Sequence, residues 1–374
     1  MTRDLTPDEP TPVVEDHRFP CGTCGADMRF APESGDLACD HCGAHEALDR
    51  DAALPLRELD YRTALSAELP AQDIVESRMS ECPNCGARVE FSDTVHAAQC
   101  PYCATPVVTD TGMHRQIKPR GLLPFALTEP QAHDAMSDWL GRLWFAPNGL
   151  RKYARKGRKL DGIYVPYWTF DADTSSQYSG QRGDDYYVTR TVRRNGETKT
   201  IRQRKTRWSN RSGHVARFFD DILVLASHAL PRKYTQGLEP WDLSEMEPYV
   251  PDYLAGFRSE AYSVTIDEGF AAAREHMDRV ILRDVKFDIG GDRQRVHNIQ
   301  TQVRAVTFKH ILLPVWMAAY KYRGKTYRFV VNGRTGRVQG ERPYSAWKIA
   351  FAALGVALLA GAVGYLIAIN QPPQ

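Results

Sequence analysis

The chain has 374 residues, 43% of them hydrophobic and 10% aromatic, a composition that supports buried cores in two or three domains and excludes an intrinsically disordered protein. Its net charge of +2 hides an asymmetry: residues 1–75 carry 6 Lys/Arg against 16 Asp/Glu, whereas residues 151–217 carry 17 against 6. An acidic start therefore faces a basic middle, a pattern expected of a protein with charged partners.

Residues 1–17 are polar, acidic and Pro-rich, without the apolar segment of a secretory signal, and read as a flexible tail. All eight cysteines then fall into four C-x-x-C pairs: Cys21/Cys24, Cys39/Cys42, Cys82/Cys85 and Cys100/Cys103. The second set repeats the first, 61 positions on from Cys21 to Cys82 and from Cys42 to Cys103, with Gly25 matching Gly86 and Phe30 matching Phe91. Paired C-x-x-C motifs at this separation fit a Cys₄ tetrahedron in which each pair forms one knuckle and a short hairpin lies between. Glycine after the second Cys relieves the turn's demand for positive φ. Gly25, Gly43 and Gly86 supply it, and Ala104 stands at the fourth knuckle. Phe30 and Phe91 are expected to pack a small core beside each site.

Disulfides and redox chemistry also use C-x-x-C, but a cytoplasmic setting disfavours the first, and redox motifs usually come singly beside a βαβ pattern. The expected cofactor is two Zn²⁺ ions, structural because four thiolates close each site and leave no position for a reactive water. His41 and His45 neighbour the first site and are read as surface residues.

Across residues 47–77, a linker between ribbons at 18–46 and 78–108, Leu54, Leu56, Leu59, Tyr61 and Leu65 suggest a short one-sided helix. Gly121–Leu127 then reads as a strand. Thr128 and Gln131 form a capping box opening a helix to about Trp144, with Ala132, Met136, Trp139, Leu140 and Leu143 as its apolar stripe. A second unit looks alike: Tyr262 and Val264 in a strand, a capping box at Thr265 and Glu268, and a stripe of Phe270, Ala273, Met277, Val280 and Ile281. Each helix is followed by an apolar strand with Pro and Trp in matching places, Pro166 and Trp168 in one, Pro314 and Trp316 in the other. Proline within a strand favours an edge or a bulge, and the tryptophans read as core or rim contacts. Turn signals at Arg194-Asn195-Gly196, Tyr322–Lys325 and Asn332–Gly336 complete an α+β, mainly antiparallel body over 112–345, built of two related units.

The first unit holds the basic stretch: Arg151, Lys152, Arg155, Lys156, Arg158 and Lys159, then Arg190, Arg193, Arg194, Arg202, Arg204, Lys205, Arg207 and Arg211, interleaved with Tyr186, Tyr187 and Trp208. Such a stretch serves as a solvated hairpin that keeps an edge soluble, or attracts an acidic protein, anionic lipid or nucleic acid. The six charges at 151–159 are the candidate acidic-partner or lipid-binding residues.

Residues 349–369 form 21 positions without a charge, enough to span a hydrocarbon core of about 30 Å as one helix. Arg334, Arg337, Arg342 and Lys348 precede it and no Lys or Arg follows, so residues 1–348 are expected in the cytoplasm of a single-pass, tail-anchored protein of the inner membrane.

No catalytic residues are expected. Gly324-Lys325-Thr326 lacks the first Gly of a phosphate-binding loop, Ala319 standing there, and falls in a hairpin turn; His276 has no second His one turn away.

CPNCG…CPYC, LLPFALTEPQA, GIYVPYWTFDA, ILLPVWMAAYKY and YRFVVNGRTGRVQGERP together give most of residues 78–369 a resemblance to a bacterial family of membrane-anchored proteins with TFIIB-type zinc ribbons. That resemblance implies a recruiting or scaffolding role in membrane-stress systems that contain phage-shock (PspA-type) and SPFH (flotillin-like) proteins. Chains of this kind are also labelled primosomal protein N′ (replication factor Y), a superfamily II helicase with paired Cys₄ sites. Without the motor motif, only a nucleic-acid-binding ribbon carries over from that likeness.

Overall fold

The computed structural model describes residues 19–50, 55–66, 68–90, 97–103, 105–108, 113–143, 160–194, 197–322, 325–341 and 345–369. The run 151–159, Phe91 and Ala104 lie outside these residues. The first ribbon is a three-stranded antiparallel sheet of β1 (Arg29–Ala31), β2 (Asp36–Ala38) and β3 (His45–Glu46). The expected helix across the linker shrinks to one turn. Leu59 lies instead in β4 (Leu59–Asp60), paired with Phe308, and Asp60 caps the short α1 (Tyr61–Leu65) by accepting from the Thr63 amide. The second ribbon is built on β5 (Ile74–Glu81), β6 (Arg88–Glu90), β7 (Ala97–Gln99) and β8 (Pro106–Val108), and β9 (Met113–Ile117) pairs back onto β5.

In the body, β10 (Gly121–Leu122) is shorter than the expected strand over Gly121–Leu127. Beyond Leu122 the chain turns to bind another loop: the Ala126 and Leu127 amides both donate to the Gly333 carbonyl. The capping box of Thr128 and Gln131 then opens α2 (Glu129–Arg142), which buries Ala132, Met136 and Leu140. β11 (Asp161–Arg194) and β12 (Glu197–Leu225) form a long hairpin, followed by α3 (Arg232–Leu238), β13 (Glu247–Pro248) and β14 (Arg258–Ser259). Tyr262 and Val264, expected in a strand, are instead in a connecting segment held by the Ala226 carbonyl, which accepts from the Ser263 and Val264 amides. The capping box of Thr265 and Glu268 opens α4 (Ile266–Ile289), and β15 (Arg293–Tyr322), β16 (Lys325–Asn332) and β17 (Val338–Gly340) close the sheet. α5 (Ala346–Ile369) ends the described chain. Its 20-residue span Trp347–Leu366 has a mean hydropathy of 2.2 and none of it is buried, so it is long and apolar enough to cross a membrane and is not a core helix.

The duplication seen in the sequence organises the sheet. From Ile163 to Ile311, and again from Trp168 to Trp316, counterparts lie 148 positions apart. β11 and β15 pair antiparallel at the centre, and Val165 sits directly opposite its own counterpart, Leu313. Paired residues face the same side of a sheet, so a local two-fold axis passes through this pair, normal to the sheet. Consequently both long helices lie on one face, and each packs on the other unit's hairpin: α4 on β11 and β12, α2 on β16. That face buries Tyr164, Leu312, Trp316 and Phe329 under α2, and Trp168, Phe170 and Phe308 under α4. Gly269 is what lets α4 come so close, since a Cβ there would stand 2.7 Å from the Trp168 ring.

The prolines break the expectation of an edge or bulge. Pro166 and Pro314 lie in the two central strands, at Pro166 opposite Leu312 and Tyr164 opposite Pro314. Each occupies a place where its strand changes partner on the other side: β12 joins β11 from Tyr167 onward, and β15 passes from β10 at Leu312 to β16 at Val315. A residue without an amide hydrogen costs the ladder nothing there. Both tryptophans are core: Trp168 is fully buried and donates to the Val264 carbonyl, and Trp316 is 6% exposed and donates to that of Leu127.

Candidate metal centres

Within each Cys set all four sulfurs lie within 4.8 Å of one another. Cys21 Sγ is 3.6 Å from Cys42 Sγ and Cys24 Sγ 3.6 Å from Cys39 Sγ; in the second set the corresponding separations are 3.5 Å for Cys82 to Cys103 and 3.6 Å for Cys85 to Cys100. A tetrahedron with Zn–S bonds of about 2.3 Å has S···S edges of about 3.8 Å, so the two sets are the size such an ion requires. The chain thus brings together all eight predicted ligands in two groups able to hold a metal ion.

The four knuckles share one backbone plan. The first Cys of each pair donates its amide to the carbonyl five residues on: Cys21 to Ala26, Cys39 to Ala44, Cys82 to Ala87 and Cys100 to Thr105, at 2.8 to 2.9 Å. In the first three a return bond runs from Gly25, Gly43 and Gly86 to the carbonyls of Cys21, Cys39 and Cys82, with glycine φ of +74°, +72° and +71°. No neighbour lies within 4 Å of the missing Cβ of these glycines, so conformation and not crowding explains them.

Amides turned toward sulfur stabilise thiolate, the form a metal binds. Bonds from the Thr23 and Cys24 amides hold the Cys21 thiol down to about 7. Cys100 falls to about 5, chiefly through the thiol of Cys85, whose own pKa the same contact raises, and then through the amides of Tyr102 and Cys103. His45 pairs with Asp36 at 3.1 Å and His41 is exposed, and neither joins a Cys group.

Both sets are set into the body. Phe30, expected in a private core of the first ribbon, is buried against Tyr253, with ring centroids 5.2 Å apart, and its amide donates to the Ala255 carbonyl. Cys82, Cys100, Tyr102 and Cys103 share one buried cluster with Val165, Leu313 and Val315 on the sheet face opposite the helices. Tyr102 donates its hydroxyl to Glu260, and the Ala261 amide donates to the Arg88 carbonyl. Burial pushes the Glu260 carboxyl up to about 7 against the donors Ser227 and Tyr102. No spacing signal in the sequence points to this seam.

A further polar centre, which no local sequence pattern marks, surrounds Lys309. Lys309, 7% exposed, reaches Asp221 at 2.8 Å, Glu58 at 3.2 Å and Asp171 at 3.7 Å, where β11 carries a bulge. It ties the linker strand to the sheet. His276 lines a cavity of about 940 Å³ between β12, α3 and α4, beside Arg279 and Trp241. Burial and then the neighbouring Arg279 and Arg283 lower its pKa.

The chain is similar to the uncharacterized protein YdjG of Bacillus subtilis (strain 168), 26% identical over 353 residues that cover 91% of this chain and 94% of that protein. No family model matches the chain, and no solved structure does.

Proposed function

We propose that this protein is a non-enzymatic adaptor or scaffold, anchored by α5 in the inner membrane with its folded part in the cytoplasm, and carrying two structural Zn²⁺ ions. The closure of both Cys sets carries this reading. Each offers four thiolates at tetrahedral spacing with no further ligand grouped beside them among the described residues, so a bound ion has no open position for chemistry. The ions would hold the ribbons in shape, and each ribbon in turn covers part of the body's core. The bare α5 supports the anchor, and Arg334, Arg337 and Lys348 ahead of it support the orientation.

Metal analysis of anaerobically purified protein should return two zinc ions per chain. A content near zero, or disulfides in cytosolic material, overturns the zinc assignment. Protease added to intact cells should leave the folded part uncut, and a reporter after Gln374 that proves cytoplasmic overturns the orientation. Affinity capture from detergent-solubilised membranes is expected to return PspA-type or SPFH proteins in near-stoichiometric yield; their absence counts against the membrane-stress role.

A further inference from the structure

β15 begins at Arg293, opposite Gly183, so beyond this row the β11–β12 hairpin continues as a two-stranded ribbon from Asp184 and Arg207 to Arg194 and Glu197. At about 3.4 Å per residue the free arm is some 37 Å long. Residues 184–207 hold eight Lys/Arg against three Asp/Glu. The register assigns the charges to both sides. Lys205 opposite Tyr186, Arg207 opposite Asp184 and Arg190 opposite Ile201 share one face; Arg204 opposite Tyr187 and Arg202 opposite Thr189 share the other. Arg190, Arg202, Arg204, Lys205 and Arg207 are all exposed. Arg202 lies 4.0 Å over the Tyr187 ring, which fixes its direction, and Arg204 reaches Asp185 at 3.5 Å. Arg190, Lys205 and Arg207 meet no carboxylate among the described residues.

The anchor leaves from the opposite end of the sheet. β17 ends at Gly340, opposite Phe329, in the same rows as Ala318 and Met317, and Met317 faces Asp161 at the start of β11. The arm starts 23 residues farther along β11, at Asp184, or about 78 Å along the strand.

We infer that this ribbon is an arm for double-stranded B-form DNA, entering the major groove between two rows of phosphates. The major groove is about 12 Å wide and admits a two-stranded ribbon, and an element lying in it meets phosphates on both sides, which a two-faced distribution of Arg and Lys satisfies. A bilayer surface touches one side only and is best met by basic residues around an apolar face. Here the exposed apolar residues divide, Tyr186 and Ile201 on one face and Tyr187 on the other. The arm is separate from the zinc ribbons, so this inference stands or falls independently of the adaptor reading.

The test uses the full chain in nanodiscs of phosphatidylcholine with a fluorescent 30-base-pair DNA of mixed sequence. Binding should show a Kd on the order of 10 µM near physiological salt, with log K falling against log salt at a slope of about −3 to −5, as expected for four or five phosphates. Arg202→Gln with Arg204→Gln, and separately Lys205→Gln with Arg207→Gln, should each weaken binding roughly tenfold and flatten the slope by about two. Both double variants should keep two zinc ions and the parent's unfolding midpoint, since the arm lies outside the cores. The inference is overturned if DNA does not bind, if only one face matters, if an RNA duplex of the same length binds as tightly, or if anionic vesicles displace the DNA through these same residues.

Discussion

Tyr102 of the second ribbon donates its hydroxyl to Glu260 of the body at 2.5 Å, and both side chains are buried. Ser227 donates to the other oxygen of the same carboxyl at 2.6 Å. The second ribbon and the sheet are thus joined through a buried polar contact. Losing one partner there leaves a buried acceptor unmet. Tyr102→Phe should lower unfolding free energy by about 1–3 kcal/mol, read from urea denaturation in detergent, with zinc content unchanged. Cys100→Ser, by contrast, should lose one zinc ion and with it the cover over Val165 and Leu313.

Gly86 adopts φ +71° with nothing near its absent side chain. Gly86→Ala should therefore cost about 1–2 kcal/mol from conformation alone, and Gly86→Asn less, since Asn tolerates this region. Competition with a zinc chelator measures both. Equal losses for the two variants would mean that crowding or metal contact, and not φ, selects glycine.

The tryptophan pair should behave as equivalents. Trp168 and Trp316 each hold the carbonyl just ahead of the helix cap in the other unit, at 3.0 Å in both cases. Trp168→Phe and Trp316→Phe are each expected to cost about 1–3 kcal/mol, an unmet buried carbonyl together with lost packing. Thermal or urea unfolding of the two variants, side by side, checks the equivalence.

His310 gives the fold a pH dependence. It is fully enclosed, donates through Nδ1 to the Ile117 carbonyl at 2.7 Å, and lies against Trp168 and Tyr262; burial pushes its pKa down to about 4. The unfolded chain, with its imidazole near 6.5, takes up the proton first, so the contribution is present above pH 6.5 and is lost as pH falls toward 4. Stability should decline by up to about 3 kcal/mol across that window, with one proton bound on unfolding. His310→Asn, which retains a donor for Ile117, should flatten the profile in urea denaturation at pH 7, 6 and 5.

What could be read in advance was what lies close together along the chain. Eight cysteines in local pairs specify two ligand sets, and Thr128 with Gln131 or Thr265 with Glu268 specify helix starts, because each signal is complete within a few residues. Pro166 and Pro314 were misread because a proline's tolerance depends on the neighbouring strand, which changes at those positions and is set by residues far away. The same holds for Phe30 against Tyr253 and Tyr102 against Glu260: both are pairs whose partners come more than 150 residues later. The charges at 151–159 lie outside the described residues, and the part of the basic stretch that the structure does place is the projecting arm together with Arg211, which sits opposite Gly180 in the sheet.

The exchange of helices between the two hairpins also orders events in time. β11 finds its central partner only in β15, from Gly183 with Arg293 to Asp161 with Met317, so more than a hundred residues must be synthesised before the sheet can zip. Until then the longest strand of the body waits with one side open. The apolar helix α5 follows β17 within six residues, so the segment that completes the sheet and this apolar helix leave the ribosome almost together. On the proposed anchoring, folding and delivery to the membrane would be competing claims on the same nascent chain, and whichever machinery held α5 would also hold a body that has only just become able to close.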